Sequence, residues 1–109
     1  MGFQMVGSFI KEYLDLCVKT KEKGIPEIEF KDILRLAEMA GFEISNQPGS
    51  HVLFYHEGLV GWSKTLYGKI VIPKIHGGKS NPKVKRIYLL IFCQALDFLR
   101  KEGFIGKST

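Results

Sequence analysis

The chain has 109 residues, 45% hydrophobic and 25% charged, a composition that gives one domain with one core and excludes a disordered protein. No apolar run approaches the roughly 18–20 residues of a membrane-spanning helix, and the N-terminus lacks the marks of a signal peptide, so a cytoplasmic protein with no membrane partner is expected. The net charge of +5 is uneven, with six Lys/Arg against nine Asp/Glu in residues 1–57 and ten against two in residues 58–109; RNA or DNA is the usual partner of such a basic half, although an acidic protein would satisfy the same charges.

Val6 to Lys23 reads as an amphipathic helix, with Val6, Phe9, Ile10, Tyr13, Leu14 and Cys17 at helical spacing, Gly24 as its stop and Pro26 against its resumption. A second helix is expected from Glu29 to Ala40. Phe30, Ile33, Leu34, Ala37 and Ala40 form its buried stripe, and Gly41 takes the left-handed C-terminal position. Three strands follow. Phe42 to Asn46 is short and half-apolar, and Gln47-Pro48-Gly49 forms a tight turn. Ser50 to His56 alternates, with Val52 and Phe54 on one side and His51, Leu53 and Tyr55 on the other; Lys69 to Lys74 alternates through Ile70 and Ile72. Between them, Glu57 to Gly68 is too long for a standard hairpin loop and is expected to carry a function or form a small flap.

After a flexible loop, His76-Gly77-Gly78-Lys79-Ser80, Asn81 reads as an N-cap and Pro82 as the first residue of a helix to about Lys101. Its apolar surface is broad enough to bury two sides, one on the sheet and one against the N-terminal helix or a partner chain. The order α-α-β-β-β-α gives an α+β fold: a three-stranded antiparallel meander with helices on one face, and an open face presenting His51, Leu53 and Tyr55.

Few residues carry chemistry. Cys17 and Cys93 lie in apolar helical patterns without CxxC or Cys/His spacing, so two reduced core thiols are expected and no metal site. Gly49-Ser50-His51 puts a histidine at a strand start, fixed by the ladder yet exposed. An imidazole titrates near neutral pH, and RNA supplies its own nucleophile, the ribose 2′-OH, so a base, a phosphate-binding charge and an acid suffice without a metal. Spacing alone does not separate such a histidine from a plain surface one. In His76-Gly77-Gly78-Lys79 two glycines let backbone N–H groups approach a phosphate, with Lys79, Lys83, Lys85 and Arg86 in support; a plain loop fits the same pattern. His56 ends its strand on the Val52 and Phe54 side and reads as a packing or edge histidine.

Residues 30–56, FKDILRLAEMAGFEISNQPGSHVLFYH, resemble the start of HicA-family toxins: a short helix, a Gly-Phe pair, a strand, a Gly-Ser-His, and a strand with Phe near its middle. Residues 69–82, KIVIPKIHGGKSNP, are similar to the family's third strand and its His-Gly ending before a final helix. The resemblance implies a core like the double-stranded-RNA-binding domain, α-β-β-β-α, over residues 29–101. Residues 1–28 then form a helical extension and residues 57–68 an insert, within one domain spanning 1–109. It also implies endoribonuclease activity on mRNA, an essential histidine at His51, Gly49 shaping the turn beside Ser50, and a HicB-type antitoxin over the active face. The extra helix, the insert and the long final helix depart from the family pattern.

The expected function is therefore a metal-independent mRNA-cleaving toxin with no cofactor. His51 is the general base; Lys79, Lys83 and Arg86 steer phosphates; His76 is a phosphate ligand or general acid; Gly77, Gly78, Lys74, Lys85 and Tyr55 complete the RNA surface. A non-catalytic RNA-binding module of the same fold is the alternative.

Overall fold

The structure is a computed structural model that describes residues 9–19, 22, 24, 27–75 and 81–105. Along the chain come α1 (residues 9–19, π-helical over Leu14–Lys19), β1 (Glu27–Glu29), α2 (Phe30–Met39), β2 (Glu43–Asn46), β3 (His51–Tyr55), a 3-10 turn (Glu57–Leu59), β4 (Lys69–Pro73), β5 (Lys83–Lys85) and α3 (Arg86–Lys101). The strands form an antiparallel sheet in the order β2-β3-β4 and a separate antiparallel pair, β1 with β5.

Alternation sets the layers. Val52 and Phe54 of β3 and Ile70 and Ile72 of β4 are buried, and Phe54 makes ring contacts with Phe30 of α2 and Phe92 of α3. Both helices therefore cover the same face of the sheet. Ile33, Leu36 and Ala37 of α2 and Leu89, Phe92, Ala95, Leu96 and Leu99 of α3 complete that core. The buried stripe of α2 runs through Leu36, with Leu34 only half-buried. Gly41, at φ +86°, closes α2 as expected.

Helix α1 forms a third layer through Phe9, Tyr13, Leu16 and Cys17, while Leu14 faces solvent. The expected helix ends at Val6 and Lys23 lie outside the described residues. Its attachment to α3 corrects one expectation: Cys17 and Cys93 are not reduced thiols but a disulfide, with Cα atoms 5.6 Å apart. Both sulfurs sat on helical apolar faces, as the pattern required. What the pattern lacked was their juxtaposition across 76 residues. Beside the bond, Tyr13 donates its hydroxyl to Asp97 and lies under the Arg100 guanidinium, 4.8 Å from its ring centroid.

The second correction concerns residues 81–85. The last helix begins at Arg86 rather than Pro82, and Lys83–Lys85 instead pair with Glu27–Glu29. Burial of Ile28 and Val84, at 5% and 0% exposure, drives this pairing. Asn81 is not an N-cap: its amide donates to Glu29 Oε1 at 2.9 Å, and the Pro82 carbonyl accepts from the Phe30 N–H at 2.9 Å, serving the start of α2. The element order is thus α-β-α-β-β-β-β-α among the described residues, two strands richer than the sequence pattern indicates.

Two predictions follow from α1. A disulfide closing a loop of this length stabilises by up to about 4 kcal/mol through the unfolded chain. The double variant Cys17→Ser/Cys93→Ser should therefore lose a few kcal/mol in urea denaturation. Burial, followed by the hydrogen bond and charge of Asp97, raises the Tyr13 pKa above its ordinary value, with Arg100 opposing. A raised folded-state pKa gives stability that is complete below about pH 10 and lost as pH rises beyond it. Tyr13→Phe should flatten that alkaline limb of a stability–pH profile.

Candidate functional site

The face of the three-stranded sheet away from the helices is uncovered among the described residues, and the strand register arranges it in rows. At one end Glu43, Tyr55 and Lys69 stand side by side across β2, β3 and β4. Ser45, Leu53 and Val71 form the middle row. His51 and Pro73 form the last. Leu53 and Tyr55 are half-buried, while His51, Glu43, Ser45 and Lys69 are exposed. Between the first two rows lies a depression of ≈ 340 Å³, lined by Glu43, Ile44, Ser45, Leu53, Tyr55 and Lys69.

His51 is held by its backbone alone. The turn before it needs Gly49 at φ +77°, a conformation costly for any residue with a Cβ. The His51 carbonyl accepts from Gln47 N–H at 3.0 Å, and the neighbouring Ser50 carbonyl accepts from Lys74 N–H at 2.8 Å. The imidazole is exposed and makes no hydrogen bond with another described residue. Ser50 is half-buried.

The expected cations are more scattered than the sequence suggests. Lys74 lies on the helix side of the sheet, with its Nζ 5.0 Å from the Phe30 ring centroid. Lys83 and Lys85 stand opposite Glu29 and Glu27 on the β1–β5 pair. The Asn81 hydrogen bond first, then Lys31 and Lys83, hold the Glu29 carboxyl below its ordinary pKa. Arg86 lines a cleft of ≈ 570 Å³ between α1 and α3, together with Tyr13, Glu22, Asp97 and the disulfide. His76, Gly77, Gly78 and Lys79 lie outside the described residues; Ile75, the last described residue before them, bridges to Lys83. The face itself thus gathers His51 and Tyr55, and adds Lys69, Glu43 and Ser45, which sequence reasoning did not name. The Ile70 and Ile72 alternation placed Lys69 on this side; only the register showed what stands beside it.

Of the two readings, packing or edge, His56 takes the first: it is buried. Its Nδ1 accepts from Gly58 N–H at 2.9 Å, which leaves Nε2 to donate to the Ala40 carbonyl at 3.0 Å. The insert packs down on the core and α3. Leu59 is fully buried, Trp62 stacks on Phe98 with centroids 5.5 Å apart, and Lys64 donates to Gln94. It closes the end of the sheet beyond Tyr55, about 13 Å along β3 from His51. Among the described residues no group of three or more His, Cys, Asp or Glu comes together as a metal site, and no helix is long and apolar enough to cross a membrane.

Gly68 ties the insert to the face. A Cβ there would lie 2.7 Å from the His56 carbonyl oxygen and 3.2 Å from the Tyr55 ring, at a φ of +80°. Gly68→Ala should cost about 1–3 kcal/mol in a denaturation experiment, from strain and overlap together. In comparisons with known proteins, no family model, no curated protein and no solved structure matches the chain.

Proposed function

We propose that this protein is an endoribonuclease of HicA-like type, built on a core like the double-stranded-RNA-binding domain, that cleaves mRNA with His51 as its general base. One observation carries the proposal: an exposed imidazole, without a hydrogen-bond partner among the described residues, is fixed at the head of the central strand, on a sheet face that the described chain leaves uncovered. The motif resemblance in residues 30–56 and 69–82 supports it. His51 takes the proton of the ribose 2′-OH, and that oxygen attacks the adjacent phosphorus. The 5′-oxygen then departs and takes up a proton, for which His76 is the proposed donor. Lys69 supplies positive charge on the face, and Lys79 is proposed to add to it. A HicB-type antitoxin is the proposed partner, covering Leu53, Val71 and Pro73 along with His51. An mRNA substrate puts the protein in the cytoplasm. There the Cys17–Cys93 bond is unusual, since disulfides persist in reducing cells chiefly in hyperthermophiles.

A non-catalytic RNA-binding module is the second reading. It is favoured by the row that His51 shares, in which Pro73 offers no acid or base. One experiment separates the two. The purified chain and His51→Ala are incubated with structured and unstructured RNA in EDTA, and binding and cleavage are followed together. Loss of a general base costs about 100- to 10,000-fold in rate, so cutting by the unaltered protein alone supports the nuclease. Equal cutting by both proteins removes His51 from its role, and binding without product favours the module.

A further inference from the structure

The row Glu43–Tyr55–Lys69 has a chemistry that folding does not require. Directly opposed residues on neighbouring strands put a carboxylate, an aromatic ring and an ammonium in line, about 5 Å apart from strand to strand. Glu43 and Lys69 are two strands apart and form no ion pair with each other among the described contacts. The ring between them floors one end of the depression, and its place depends on Gly68, since a side chain there would reach it.

A second observation lies beside it. Tyr67 is the one residue other than glycine with positive φ among the described residues, at 55°, and its side chain is 70% exposed. Tyr67 and Gly68 occupy the centre of a tight turn closed by Lys69 N–H to the Leu66 carbonyl at 3.1 Å. Asn or Gly would take this conformation at less cost. The turn is also held firmly, because Thr65 Oγ1 donates to Leu59 O and accepts from Gly68 N–H. An aromatic ring kept in a costly conformation and left in solvent gains nothing from burial, so a contact outside the chain accounts for it better.

Resting on the RNA reading of the same face, we infer that Glu43, Tyr55 and Lys69 form a subsite for one unpaired nucleobase, with Tyr67 at its rim, and that the base is guanine. The base stacks on Tyr55, as unpaired bases do on aromatic side chains. Guanine presents two donors, N1–H and N2–H, on one edge, which matches the two oxygens of the Glu43 carboxylate; uracil presents only one. Lys69 meets the adjoining phosphate. Duplex RNA cannot enter this subsite, because a paired base has that edge occupied. The distance of about 13 Å along β3 to His51 places the subsite a short way along the strand from the phosphate at the histidine. The substrate is therefore single-stranded there.

The test measures binding of short oligouridines, with and without a single guanine, to the full chain carrying His51→Ala, so that no RNA is consumed. The guanine-containing RNA should bind about tenfold more tightly, the discrimination expected of one well-placed edge contact. Glu43→Ala should abolish that preference while leaving oligouridine affinity in place. Lys69→Gln should weaken both RNAs and lower the salt dependence by about one phosphate contact. Both substitutions are at exposed positions, so the variants remain folded. Equal affinity for the two RNAs, or a preference that survives Glu43→Ala, overturns the subsite and leaves the RNA reading standing. No binding of either RNA at low salt overturns both.

Discussion

Burial of Phe54 at the centre of β3 is the contact on which the rest of the molecule depends. Its ring meets Phe30 from α2, Phe92 from α3 and Phe42 from the approach to β2, with centroids 5.9–6.3 Å apart. Edge-on aromatic contacts of this kind add about 0.5–1.5 kcal/mol each beyond the area they bury. Because strand side chains alternate strictly, fixing Phe54 inward forces His51, Leu53 and Tyr55 outward. A slip of one residue would bury His51 and expose the ring. The register of the core and the composition of the open face are thus one decision.

The two ends of the sheet are finished differently. At the Tyr55 end the insert folds down onto α3, with Leu59 in the core, Trp62 on Phe98, and His56 satisfied on both ring nitrogens by backbone groups. At the His51 end the described residues supply only a tight turn and the Ile75–Lys83 bridge. Behind the sheet, α1 adds a layer fastened by the disulfide, the Tyr13–Asp97 hydrogen bond and an Arg35–Glu12 ion pair. Among the described residues, stabilising features therefore lie behind the sheet and beyond Tyr55, away from His51.

The charge pattern has a different meaning in three dimensions from the one it has along the chain. An acidic N-terminal half and a basic C-terminal half suggest a basic surface, yet pairing of β1 with β5 sets Glu27 and Glu29 against Lys85 and Lys83. Lys74 rests on an aromatic ring and Lys64 on a glutamine. Several of these cations thus face groups within the molecule. Of the cations on the described open face, Lys69 is the one whose row includes an aromatic ring and a carboxylate.

The sequence by itself determined what short-range periodicity encodes: the amphipathic helices, the alternation that buries Val52, Phe54, Ile70 and Ile72, the turn at Gly49, and hence the outward direction of His51 and Tyr55. It also put His56 on the Val52 and Phe54 side, as a packing or edge residue, from parity alone. Only the tertiary structure decided what depends on residues far apart in the chain. Three-residue strands such as β1 and β5 are too short to show a period, and Asn81-Pro82 gave a stronger local signal for a helix start than Val84 gave for a strand. Cys17 and Cys93 meet across 76 residues, and Glu43, Tyr55 and Lys69 align through register. Alternation tells a side chain which face to take; which neighbours it finds there is set by long-range pairing, whose energy comes from apolar burial between segments that the linear sequence keeps apart.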